Sequence, residues 1–243
     1  MGIEYNNQKT VTEGLVLCVD AANPKSLSES AGAITTGSTW TDLSGTSNHG
    51  TIRGASTVFS ADNSGYIDFN DSYGNNTNSS HVDFNDTPSL NMTDSITIES
   101  WVNFNADSPD FIFEKGSVNT QYSLFSHGTD IMFRSYHVGF PNVQKQITKV
   151  SAGIISGNWY HIVGTWDGSN KRLYVNGVEY GSPVAISANL VTTTQGARIG
   201  AFGQGSFGYP FGGKIAKVAV YNIGLTEAQV VQNFNATRGR YGI

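Results

Sequence analysis

The sequence predicts an all-β fold, a two-sheet antiparallel β-sandwich with one short C-terminal helix. Three observations carry that expectation. Short runs of alternating apolar and polar residues recur along the chain, separated by Gly, Asn, Asp and Ser. Only 14% of the residues are charged and there are 28 Gly, which disfavours a helical bundle or coiled coil built from Glu, Lys, Ala and Leu. Large buriable side chains (13 Phe, 11 Tyr and 4 Trp) argue against disorder, and 243 residues fit one sandwich domain spanning 1–243.

Along the chain, Gly14 to Asp20 is an apolar run whose Cys18, the only cysteine, is expected to pack in the core; a lone cysteine permits no internal disulfide. Residues 24–48 are polar and small and read as a long surface loop before strands resume at Thr51. Tyr66 to Asp71 and His81 to Asp86 resemble each other and read as two similar strands. In Ser95 to Phe104, Ile96, Ile98, Val102 and Phe104 share one face, expected to be core, while Thr97, Glu99 and Trp101 share the other. Trp159 to Trp166, Lys171 to Val175 and Val178 to Tyr180 read as consecutive hairpins. Asp167-Gly168 and Asn176-Gly177 between them tolerate the positive φ of tight turns, so Asp167 and Asn176 have a structural job first. Thr226 and Gln229 form a capping box, with Leu225 and Val230 as its hydrophobic staple. The helix they open is expected over a rim or edge of the sandwich.

Several function classes are excluded by these residues. A net charge of −5 without a Lys/Arg cluster leaves no footprint for nucleic acid. No apolar run approaches the about 18 residues of a membrane span, so no membrane insertion is expected. No basic segment followed by an apolar stretch opens the chain, so no signal peptide is expected either. The glycine patterns Gly203 to Gly208 and Gly208 to Lys214 lead into a strand instead of the helix that binds phosphate, and Ile215 stands where a phosphate loop needs Ser or Thr. The five His residues lack metal-ligand spacing. Glycoside hydrolysis needs two carboxylates across a sugar. Glu99 is the only acid in its strand, and a pair formed across strands is not visible in a sequence, so no catalytic residue is assigned.

Ser95 to Val102, Gly157 to Gly168, Leu173 to Gly177, Arg198 to Gly200 and Phe211 to Asn222 with Leu225-Thr-Glu227 form an ordered set. In this the chain resembles laminin-G-like domains of the concanavalin A-like lectin/glucanase superfamily, most strongly over residues 50–237. The resemblance implies a jelly roll, mostly non-catalytic binding of glycans or proteins, and in some members a rim calcium. Gly14 to Ser26, Trp40 to Gly45, Asn48 to Thr51 and Phe234 to Gly242 resemble a narrower set, structural proteins of tailed bacteriophages.

Calcium takes oxygen ligands from irregular loops, and Asp42 and Asn48 are the candidate ligands between Trp40 and Gly50, against the alternative that they support turns. For ligand contact, Phe207 and Tyr209 stand out in the Gly-rich loop Phe202 to Phe211, with Tyr136 and Phe140 as a second group. Aromatic faces stack on sugar rings; loop packing or an oligomer contact is the alternative. The functional expectation is a non-catalytic virion protein, a capsid decoration or attachment-fibre component assembled in the bacterial cytoplasm. Its partners would be other virion proteins, further copies of itself and a host-surface glycan. The alternatives are a free carbohydrate-binding lectin-like module and, third, a glycoside hydrolase with a cross-strand carboxylate pair.

Overall fold

The computed structural model describes residues 9–28, 31–54, 57–62, 65–69, 80–105, 110–116, 121–128, 130–139, 145–149, 153–203 and 210–243. In chain order the strands are β1 (Leu15–Asp20), β2 (Gly32–Ala33), β3 (Thr39–Trp40), β4 (Gly50–Arg53), β5 (Val58–Ser60), β6 (Tyr66–Asp68), β7 (His81–Phe84), β8 (Ile96–Phe104) and β9 (Asp110–Lys115). They continue with β10 (Tyr122–His127), β11 (Asp130–Ser135), β12 (Lys145–Lys149), β13 (Trp159–Trp166), β14 (Asn170–Val175), β15 (Val178–Glu179), β16 (Val184–Ala185), β17 (Ala197–Ile199) and β18 (Gly213–Tyr221), followed by helix α1 (Glu227–Thr237). One sheet has ten strands, in the order β15-β14-β13-β8-β18-β6-β5-β2, with β1 also on β18 and β16 on β14. The other has eight, in the order β12-β11-β10-β9-β17-β7-β4-β3. All these pairings are antiparallel. The predicted two-sheet sandwich with one short C-terminal helix is the observed fold.

Alternation places one side chain in two between the sheets. Ile96, Ile98, Val102 and Phe104 of β8 meet Phe113 of β9, Leu124 of β10 and Phe133 of β11 in the main core. The hairpin reading holds in detail. Val175 pairs with Val178 around Asn176 (φ 52) and Gly177 (φ 77), the two positive angles of a two-residue type I′ turn. The Asn176 side chain also accepts the His161 N–H at 2.9 Å, and Asp167 accepts the N–H groups of Ser169 and Asn170.

Three expectations need correction. The 24–48 segment is more than a surface loop: it contains β2 and β3, and Leu27, Ile34 and Trp40 enter the main core. Its polar composition hid three widely spaced apolar anchors. Cys18 lies between the core residues Leu17 and Val19 and points to the other side of its sheet, where burial pushes its thiol up to about 11 and keeps it protonated.

Helix α1 lies over the outer face of the ten-stranded sheet instead of a rim or edge. Its capping box is formed as expected. Beneath it are two further apolar clusters, one containing Val163, Tyr221, Leu225 and Val230, the other Trp101, Trp159 and Tyr241 with Phe234 against them. The second face of β8 is therefore buried as fully as the first. Glu99 sits there, 3.2 Å from His161 and 3.7 Å from Lys217, and accepts from Asn233 Nδ2 at 2.6 Å. Burial opposes its charge, but Lys217, His161 and Asn233 outweigh that and hold its pKa down at about 2. Trp101 donates its Nε1–H to Thr237 at 2.9 Å, and its ring stacks on Tyr241 at 4.0 Å. The polar groups here fasten a helix, and Glu99 is buried beneath it.

Candidate functional site

The outer face of the eight-stranded sheet carries a row of polar side chains that runs across five adjacent strands. Asp83 of β7 is in register with Arg198 of β17, Arg198 with Glu114 of β9, Glu114 with Ser123 of β10, and Ser123 with Arg134 of β11. Their chain neighbours Val82, Phe84, Ala197, Ile199, Phe113, Tyr122, Leu124 and Phe133 belong to the core, so alternation turns the whole row away from it. At the usual spacing between strands, the row is about 19 Å long.

Arg134 organises one end. It donates from Nε to Ser123 Oγ at 3.1 Å and from Nη2 to Glu114 Oε1 at 3.2 Å. Its guanidinium lies 4.9 Å from the ring centre of Phe125, 5.5 Å from Phe111, 5.8 Å from Tyr136 and 5.9 Å from Phe202. The other Glu114 oxygen accepts the Gly203 N–H at 2.6 Å, and Arg198 donates to the Gly203 carbonyl. Both polar groups of one loop residue are thus clasped by side chains of the sheet, and Phe202 beside it packs on Phe111 at 4.9 Å. Arg198 also donates to Asp83 at 2.8 Å, with His81 at 3.4 Å and Arg53 at 3.6 Å from the same carboxylate.

These surroundings separate the two acids. Burial pushes Glu114 up to about 7, against the pull of Arg134, the Gly203 N–H and Arg198. Asp83 is also opposed by burial, but hydrogen bonds and charge from His81 and Arg198 hold it down at about 2.

Next to Arg134, the Tyr136 N–H donates to the Gln121 carbonyl at 2.8 Å. The Tyr136 hydroxyl and both atoms of the Gln121 amide are buried without a hydrogen-bond partner. An unpartnered buried polar group costs about 1–3 kcal/mol, so three together mark a place where a ligand or bound water can supply what the protein does not.

Of the aromatic residues expected to touch a ligand, Tyr136 is on this face; Phe207, Tyr209 and Phe140 lie outside the described residues. Tyr136 and Phe202 both pack around Arg134. Asp42 and Asn48 are elsewhere and do not fit calcium as arranged. The Asp42 carboxylate accepts from the N–H groups of Cys18, Ser44 and Asn48 and from the hydroxyls of Ser44 and Thr46, which occupies its lone pairs. Asn48 donates to Val16 O, Thr46 and Ser89 and accepts from Thr87. The pair ties the turn to β1, the alternative weighed for it. Among the described residues no three His, Cys, Asp or Glu are grouped to hold a metal.

Sequence does not single out Glu114, Ser123, Arg134, Arg198 and Asp83, since each lies on a different strand among other polar residues and nothing local says which strands are neighbours. The available signal was Arg134 and Asp83 at alternate positions among core residues, which locates them on an outer face but not opposite one another.

A sequence model described as the concanavalin A-like lectin/glucanases superfamily, of laminin-G type, matches residues 75–231. No curated protein sequence matches. Among solved structures, the binding domain of Paraclostridial Mosquitocidal Protein 1 superposes with a TM-score of 0.67 at 16% identity, over 93% of this chain and 52% of that one. The binding domain of Botulinum Neurotoxin DC in complex with SialylT gives 0.67 at 12% identity, over 93% and 52%. Domain 4 of AbnA, a GH43 extracellular arabinanase from Geobacillus stearothermophilus, in complex with arabinotriose, gives 0.62 at 17% identity, over 90% and 97%. The chain spans about half the length of the two toxin binding domains and nearly all of the arabinanase domain. At these identities the likeness is one of fold.

Proposed function

The chain belongs to the concanavalin A-like lectin/glucanases superfamily, and from that premise we propose that it is a non-catalytic carbohydrate-binding module whose ligand face is the Arg134 side of the eight-stranded sheet. The observation that carries the proposal is the cluster of unpartnered buried polar atoms on Tyr136 and Gln121 beside Arg134. Sugar hydroxyls donate and accept at once, which suits a phenol and an amide that offer both. The half-buried Phe202 ring, also against Arg134, suits the apolar face of a sugar. The arabinotriose and SialylT named with two fold relatives support the ligand class.

The cross-strand acids argue against hydrolysis. Glu114 has one oxygen on Arg134 and the other on Gly203, and Asp83 is paired with Arg198, so neither presents a free carboxyl to a sugar. Array screening of the full chain against glycans tests the reading, followed by titration of Tyr136→Phe. The variant is expected to bind about fivefold more weakly, the loss of roughly one hydrogen bond, with no loss of stability. A parent protein that binds no glycan sinks it, as does release of reducing sugar from a polysaccharide panel.

A finer reading places the module in a tailed-phage particle, as capsid decoration or attachment fibre, beside copies of itself and other virion proteins. It rests on the resemblance carried by the opening segment and the tail. The structure joins those two segments: Arg240 grips Asp20 at 2.8 and 2.9 Å. Detecting the chain in purified virions, or failing to, decides it.

A further inference from the structure

A second cluster of unpartnered polar atoms lies at one end of the ten-stranded sheet, in an open cleft of about 570 Å³ bordered by Asn103, Asn158, Trp159, Asn176, Lys214 and Tyr241. That volume falls within the about 300–1,000 Å³ of small-molecule sites. Asn103 and Tyr241 are 3% and 6% exposed. Asn103 donates through Nδ2 to the Gly157 carbonyl at 2.6 Å, which fixes the amide and leaves Oδ1 buried with no donor. The Tyr241 hydroxyl is likewise buried without a partner. Trp159 lies between Tyr241 and Tyr66, at 4.9 and 5.7 Å, and the Lys214 ammonium is 5.0 Å from the Tyr66 ring.

The requirements of this cleft are mixed. Asn103 Oδ1 needs a donor, Lys214 Nζ and the Asn158 amide offer donors, and the phenol accepts either role. An inorganic anion answers Lys214 and leaves Asn103 Oδ1 unmet. A ring bearing several hydroxyls answers all of them. We propose that this cleft is a second binding site, for a neutral saccharide unit, on the sheet opposite the Arg134 face. Two sites on opposite sheets would let one module bridge two glycan chains, with the gain in avidity that such linkage brings. The proposal stands on Asn103 and Tyr241 and does not require the Arg134 face to bind anything.

The test uses the full chain, isotope-labelled, titrated with arabinotriose, cellotriose and maltotriose, and with sodium sulfate as the anionic probe. At least one trisaccharide is expected to shift the backbone amide signals of Asn158 and Gly242. Tyr241→Phe removes only the unpartnered oxygen, so its melting temperature is expected to stay level or rise while binding at the cleft weakens about fivefold. Asn158→Ala, on the exposed lip, is expected to weaken it in the same direction, and Tyr136→Phe to leave it unchanged. Absence of any saccharide shift at Asn158 and Gly242 overturns the proposal. So do parental affinity in both Tyr241→Phe and Asn158→Ala, or sulfate competing for the same signals. Because the Arg134 face is read through Tyr136→Phe, failure of one site is separable from failure of the other.

Discussion

Replacing Arg134 with Met tests whether the clasp on the eight-stranded sheet is electrostatic. The Met side chain keeps most of the packing against Phe111 and Phe125, so the main loss is the guanidinium, with its bonds to Glu114 and Ser123. The Arg134 and Glu114 side chains are 11% and 2% exposed, and breaking such a buried pair by removing one partner costs about 3–5 kcal/mol. That cost depends on pH. Glu114 is raised from 4.5 to about 7 in the folded protein, so between those values the folded state holds a proton that the unfolded chain has lost, and stability falls as pH rises through the window. Without Arg134 the folded pKa moves higher still and the window extends upward.

At pH 8 the variant is therefore expected to lose about 3–5 kcal/mol. At pH 5 a protonated Glu114 no longer needs its counter-charge, and only the Ser123 bond and ring contacts are lost, about 1–2 kcal/mol. Adding Glu114→Gln removes the buried charge and should restore most of the difference at pH 8. Urea denaturation followed by tryptophan fluorescence measures all three proteins at both pH values. Equal losses at pH 5 and pH 8, or a double variant no better than the single one at pH 8, would refute the reasoning.

Asn233→Ala leaves the Val11 N–H and a Glu99 oxygen without their partner beneath α1, an expected loss of about 3–4 kcal/mol in urea unfolding, whereas Asn235→Ala on the exposed side should stay within about 0.5 kcal/mol. Asp42→Ala should lower the melting temperature, and neither calcium nor EDTA should move that of the parent, since the Asp42 oxygens already hold N–H and O–H donors. The folded pKa of Asp83 is depressed from 3.8 to about 2, so its contribution is present above pH 4 and lost as pH falls through 2. Asp83→Asn should accordingly destabilise at pH 6 and converge with the parent near pH 2, measured by thermal unfolding in both buffers.

Local signals were the readable part of this chain. Alternation within β8, the Asn176-Gly177 turn and the Thr226 to Gln229 capping box each involve residues within a few positions of one another, and each formed as the pattern indicates. Their cause is local backbone geometry, which does not depend on distant partners. The outer faces were not readable in that way. Thr97, Glu99 and Trp101 look solvent-facing on their own strand, but Ile223 and Leu225 bond Thr97, and the helix after them lays Asn233 on Glu99 and Thr237 on Trp101.

The Arg134 face shows the same limit. A strand's pattern says which side chains point outward but not which strand comes next to it. Asp83 and Arg198 are 115 positions apart, yet sheet order and register put them side by side in one row with Glu114. Pattern alone was enough for a sandwich with a terminal helix. The joining of Glu114, Arg134 and Arg198 into a clasp, and the pairing of Asn103 with Tyr241 in a cleft, came from packing. Those contacts depend on how the sheets close, and closure is a property of the whole chain.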